Sequence, residues 1–88
     1  MREVINKEVS VAMSFNAIKR TALPYLISWQ NRDYKVGTIG YHHTIKDGTV
    51  LHHIYELTDS ENTLHFRLNL DTSNLHWVLE AVSDGNPN

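Results

Sequence analysis

The sequence predicts a mainly β fold: an antiparallel β-meander, drawn into a strongly curled sheet or small SH3-like barrel, with an N-terminal strand or short helix. Three observations predict it. Residues 64–70 alternate without exception, with Leu64, Phe66, Leu68 and Leu70 on one face and His65, Arg67 and Asn69 on the other, the period of a half-buried strand. The dipeptide Asp47-Gly48 separates two strand-forming arms, a strong hairpin signal because a two-residue type I′ turn needs positive φ at both central positions. Further strand-like segments recur along the chain with turn residues between them.

Residues 1–21 read as an N-terminal arm. Val9, Val11, Met13 and Phe15 alternate as an edge strand would, whereas Val11, Phe15 and Ile18 also suit a short helix ending at Lys19-Arg20 before Pro24. The strand over residues 9–15 is the preferred reading, able to cap an edge in its own chain or pair with a second copy. Met13 offers an alternative translation start, which would make residues 1–12 an extension of little structural meaning.

Residues 22–84 form the antiparallel β-domain. Residues 25–29 and 34–36 make a hairpin in which a turn at Asn31-Arg32 sets Trp29 opposite Tyr34, and Ile27, Trp29, Tyr34 and Val36 share the core face. Beyond Val36, Ile39, Tyr41 and Ile45 fall out of phase, so a bulge at Gly37 or Gly40 is expected. Residues 50–57 carry apolar groups on both faces. The polar stretch 58–63 is a loop in which Asp59 and Glu61 are solvated. After the turn at residues 71–74, Leu75, Trp77, Leu79 and Ala81 line the core, leaving Val78 and Val82 outward. Residues 85–88 form a frayed tail.

Composition narrows the function classes. With 88 residues there is one domain and one core. A net charge of −2 argues against a protein that coats nucleic acid. The absence of cysteine removes disulfides, thiolate metal sites and thiol nucleophiles. No apolar run approaches a membrane span, and no signal-peptide pattern opens the chain, which points to a cytoplasmic location.

Pro24, Trp29, Arg32, Tyr34 and Val36, followed much later by Leu75-His76-Trp77-Val78-Leu79-Glu80, carry a resemblance. The chain resembles, over about residues 22 to 84, a group of small bacterial proteins of unknown function built on a Trp-x-Gly-Arg-x-Tyr-x-Val hairpin and ending in a strand with a Trp-x-Leu core. Asn31 stands at the glycine position of that pattern, and asparagine also adopts positive φ. The middle strand departs from it, with histidines in place of tryptophan and arginine. The resemblance implies a β fold and carries over no established activity.

The doublets His42-His43 and His52-His53 are the conspicuous feature. With Asp47-Gly48 as the turn, His43 faces His52 and His42 faces His53, as two pairs on opposite faces because strand neighbours point oppositely. Each pair supplies two of the four nitrogens a zinc shell needs, so His42 with His53, then His43 with His52, are the candidate metal ligands. The preferred reading is one solvent-facing pair and one partly buried neutral pair held by hydrogen bonds. Arg32, Lys35, His65 and Arg67 are the candidate ligand or partner surface. No nucleophile elbow, phosphate loop or paired-carboxylate motif is present, and no catalytic residue or cofactor is expected. The resulting reading is a non-catalytic protein-interaction or accessory module, self-associating in one form. Its alternatives are a histidine-rich zinc-type binding protein and a small nucleic-acid-binding barrel.

Overall fold

The structure is a computed structural model that describes residues 2–84. Met1 and residues 85–88, on which the frayed-tail expectation falls, lie outside the described residues. The chain is all β, in six strands: β1 (Arg2–Asn16), β2 (Thr21–Trp29), β3 (Arg32–Asp47), β4 (Val50–Asp59), β5 (His65–Asp71) and β6 (His76–Ser83). Each pairs antiparallel with the next, and β1 returns to β6, so the meander closes into a ring.

Two long strands make the closure. Residues 2–9 of β1 pair with β6 and residues 10–16 with β2. Residues 32–35 of β3 pair with β2 and residues 36–47 with β4. The ring is therefore a five-stranded sheet, ordered β3-β4-β5-β6-β1, whose outer strands bend over into a three-stranded sheet containing β2. The N-terminal segment is a strand, as preferred, and over residues 10–16 it pairs with β2 alone, its other side running past the start of β6. Val9 opposes Trp77, Ser10 to Asn16 oppose β2, and Ile5, Val9, Val11 and Met13 pack on the core.

Bulges supply the bends, because an extra residue on one strand locally increases twist and reverses facing. In β3 the register shifts at both Gly37 and Gly40. The first shift turns Ile39 into the core, and the second leaves Tyr41 and Ile45 outside. In β1 the shift falls between Val4 and Lys7, where Asn6 takes a positive φ of 51°. In β6, Arg67 opposes Ala81 while Leu68 opposes Leu79. Glu80 is thus the extra residue, and Val82, read from the sequence as outward, is buried.

The core fills the ring. Ile27, Leu68 and Leu79 are wholly inaccessible, and Tyr55, Leu57, Phe66, Leu70 and Trp77 join them. Tyr34 packs its edge against Phe66 at 5.3 Å between centroids. Leu75 is not in this core. It sits in the β5–β6 turn with φ 62° and is 71% exposed, the turn ending one residue later than the alternation suggested.

Asp59 corrects the reading of the β4–β5 loop as wholly solvated, being 6% exposed. Its carboxylate accepts from the Thr63 N–H at 2.7 Å, the Thr63 hydroxyl at 2.8 Å and the Leu64 N–H at 3.1 Å. Burial works to raise this carboxyl, but those donors outweigh it and hold it below the ordinary 3.8.

Candidate functional site

Both predicted hairpin turns are displaced by one residue. In the β2–β3 hairpin, Gln30 and Asn31 both take positive φ (54° and 60°), the type I′ pattern, so Trp29 opposes Arg32 and Ile27 opposes Tyr34. Trp29 and Tyr34 then meet diagonally, 6.2 Å between centroids. In the β3–β4 hairpin, Asp47 opposes Val50, which leaves Gly48-Thr49 as the loop. Gly48 alone takes positive φ, at 63°, as a type II′ turn requires of its first central residue. Only a glycine is then asked to adopt that conformation, whereas a turn on Asp47-Gly48 would also force Asp47 there.

The histidines consequently do not oppose one another. His42 opposes Tyr55, His43 opposes Ile54, Ile45 opposes His52 and Thr44 opposes His53. Moving the turn by one residue leaves each side chain on its face, and His42 and His53 meet on the diagonal. His42 Nε2 lies 2.8 Å from His53 Nδ1. The His42 ring also stacks on Tyr55 at 4.4 Å and 4°, and the Tyr55 hydroxyl donates to the Ala22 carbonyl at 3.2 Å. Burial raises the Tyr55 phenol above its ordinary value. This group lines the end of the ring bounded by the β1–β2, β3–β4 and β5–β6 turns.

Burial, then the charges of His53 and His43, hold His42 below its ordinary value of 6.5. A lowered imidazole value means the folded state favours the neutral form, so this contribution to stability is present above 6.5 and is lost as the pH falls below it. The urea midpoint is expected to drop between pH 7.5 and 5.5, and to drop less in His42→Gln. Equal drops in both proteins would assign the effect to another group.

His43 and His52 are separated on the outer face. His43 packs against Tyr41 with the rings tilted, 4.8 Å between centroids, and its Nδ1 is buried with no hydrogen-bond partner. His52 Nδ1 is 2.9 Å from the Asn69 side-chain oxygen. Because Asn69 already donates its amide to Glu80 at 2.8 Å, that oxygen must accept, which fixes the His52 proton on Nδ1. For zinc, the predicted ligands therefore supply one converging pair, His42 and His53. Among the described residues no group of three His, Cys, Asp or Glu side chains gathers as a metal shell would. Two nitrogens of a tetrahedral zinc also stand about 3.3 Å apart, so the hydrogen bond would have to open.

Arg32, Lys35, His65 and Arg67 do not form one surface. Arg32 and Lys35 lie in the β2–β3 hairpin beside Asp33, Asp59 and Glu61, and Arg32 rests 5.2 Å over the Tyr34 ring. Arg67 is held between two carboxylates, Glu80 at 2.8 Å and Glu56 at 3.3 Å. His65 lines an outer groove of about 310 Å³ with Arg2, Tyr41, Glu56 and Thr58. Sequence reasoning missed that Arg2, Glu56, Arg67, Glu80, Asn69 and His52 form one chain of polar contacts across the outer face. The available signal was opposite charge at outward strand positions, as in Glu56 opposite Arg67.

The other missed feature is an open edge. β2 and β3 pair only at Leu26 with Lys35, Ile27 with Tyr34, Ser28 with Asp33 and Trp29 with Arg32. Continuing that register would bring Thr21, the first residue of β2, opposite Gly40, so residues 41–47 run past the end of β2. In a two-residue hairpin the closing pair, Asp47 with Val50, is hydrogen-bonded, and bonding then alternates. His43, Ile45 and Asp47 therefore turn their backbone groups to β4. The N–H and C=O groups of His42, Thr44 and Lys46 point away from it, to an edge with no paired strand among the described residues. The hairpin is braced from the other side, where Thr72 donates its hydroxyl to the Leu51 carbonyl at 2.7 Å.

Comparison with known proteins found no matching family model, no matching curated protein and no matching solved structure. No helix among the described residues is long and apolar enough to cross a membrane.

Proposed function

We propose that this protein is a non-catalytic interaction module that takes up an extended protein segment as an added strand along residues 41–47 of β3. The observation that carries the reading is the open edge. Main-chain bonds to an exposed edge give affinity, and alternate side chains on either face give specificity. Here Tyr41 and Ile45, 56% and 43% exposed, flank the edge on the outer face, and His42, Thr44 and Lys46 flank it on the inner face. The packed ring interior supports binding outside the barrel rather than within it.

Natural sheets blunt their edges with charge, proline, bulges or cover. The opposite edge of the five-stranded sheet is blunted in this way, since residues 2–8 of β1 carry Arg2, Glu3, Lys7 and Glu8 and a bulge at Asn6. Residues 41–45 of β3 carry no Asp, Glu, Lys, Arg or proline and no bulge. The test is a selection of peptides from a displayed random heptapeptide library, repeated with Thr44→Pro, which removes one edge-facing N–H and leaves the β4 ladder intact. Peptides selected on the wild type are expected to lose binding to the variant at least tenfold. Undiminished binding would refute the edge as the binding site.

A further inference from the structure

We propose that the occupant of the β3 edge is a second copy of this chain, its own β3 running antiparallel across a two-fold axis at His43. The proposal rests on the reading of β3 as an accepting edge and adds the identity and register of what it accepts.

A closed dimer formed through one edge must be isologous, the same strand meeting itself. Registers centred on residues 42, 43, 44 or 45 are the alternatives. Centring on His42 draws the Gly40 bulge into the paired segment. Centring on Thr44 places His42 against the partner's Lys46 and Tyr41 against the partner's Asp47. Centring on Ile45 pairs Ile45 with itself but sets Tyr41 against Thr49 in the partner's turn. Centring on His43 makes residues 41–45 one uninterrupted ladder, in which His42 and Thr44 exchange backbone bonds with the partner's Thr44 and His42. Tyr41 then covers the partner's Ile45 on the outer face, twice by symmetry, and no two like charges oppose. The two largest exposed apolar groups beside the edge are thus buried by each other.

His43 supplies an independent observation. Its Nδ1 is the one buried side-chain nitrogen or oxygen without a hydrogen-bond partner among the described residues, and a buried polar group left unpaired is costly. At the axis it would stand beside the partner's imidazole in a pair that is not backbone-bonded, where Cα atoms approach to about 4.5 Å. Nδ1 is enclosed by its own chain, so the second ring supplies the missing donor or acceptor once the His43 imidazole turns toward the axis.

The chain has no cysteine, so single substitutions report the register by disulfide trapping. Full-length His43→Cys, Tyr41→Cys and Ile45→Cys are oxidised separately, and the last two also as a mixture, while wild-type sedimentation is followed up to the millimolar range. His43→Cys is expected to cross-link with itself. Tyr41→Cys and Ile45→Cys are expected to cross-link only when mixed, and the wild type to dimerise reversibly. Cross-linking of Ile45→Cys alone, indiscriminate cross-linking of every variant, or a wild type that stays monomeric throughout would overturn the proposal. A monomer that still binds peptides in a Thr44→Pro-sensitive way would remove the second copy and leave the accepting edge standing. A monomer that binds none would remove both.

Discussion

Removal of residues 1–12 is expected to abolish cooperative folding. Those residues supply the whole β1–β6 ladder and the closure of the ring. They also bring Ile5, Val9 and Val11 against the core, each worth about 1–2 kcal/mol when largely buried. Their loss would strip the cover from Trp77 and Leu79 and leave β6 as a raw edge. For 88 residues the whole stability is about 4–13 kcal/mol, so a truncated chain has little left. Circular dichroism with urea titration checks this: the full chain should give one sigmoidal transition and the chain starting at Met13 none. A truncated protein with an unchanged midpoint would mean that β1 up to Ala12 is dispensable, contrary to its pairing on both sides.

The second large effect concerns two glycines that the sequence could not rank. A Cβ added at Gly37 would lie 2.6 Å from the Asp59 carbonyl oxygen and 2.9 Å from the Ser60 Cα, both backbone atoms. The neighbouring chain cannot swing aside, because the Ser60 N–H donates to the Lys35 carbonyl at 2.7 Å and Asp59 anchors its loop through Thr63 and Leu64. At Gly40 the nearest atom would be the Glu56 carbonyl oxygen at 3.7 Å, ordinary contact. Gly37→Ala is expected to cost about 3 kcal/mol, a fall in melting temperature on the order of 10–20 °C for a domain of this size. Gly40→Ala should lie within about 0.5 kcal/mol of the wild type. Thermal melts of the two variants side by side decide it, and equal losses would contradict the close approach at Gly37.

The contrast between those glycines shows what could be read from residues alone. A bulge near Gly37 or Gly40 was implied by the phase slip after Val36, and both occur, but the tight one is identified only by the β4–β5 loop folding back on it. Facing was legible throughout, since Leu64, Phe66, Leu68 and Leu70 or Ile27, Trp29, Tyr34 and Val36 announce it by period two. Register was not. A hairpin whose loop moves by one residue keeps every side chain on its face, so the pattern that fixes facing is silent about which residues oppose. Trp29 with Tyr34 and His42 with His53 were therefore matched correctly as neighbours and incorrectly as direct opposites. The open edge of β3 was missed for a related reason. Which strand is left uncovered depends on how far β2 reaches along β3, a matter of strand lengths that alternation within one segment does not record.

The same lengths make the open edge measurable. Hydrogen exchange at single-amide resolution, on protein dilute enough to be monomeric, should show an odd–even alternation along β3. The amides of His43 and Ile45, bonded to β4, are expected to be protected, and those of His42, Thr44 and Lys46 to exchange orders of magnitude faster, gaining protection only as concentration or a bound strand rises. Equal protection of both sets in the dilute monomer would show the edge to be covered within one chain and would contradict the account of β3 as an accepting strand.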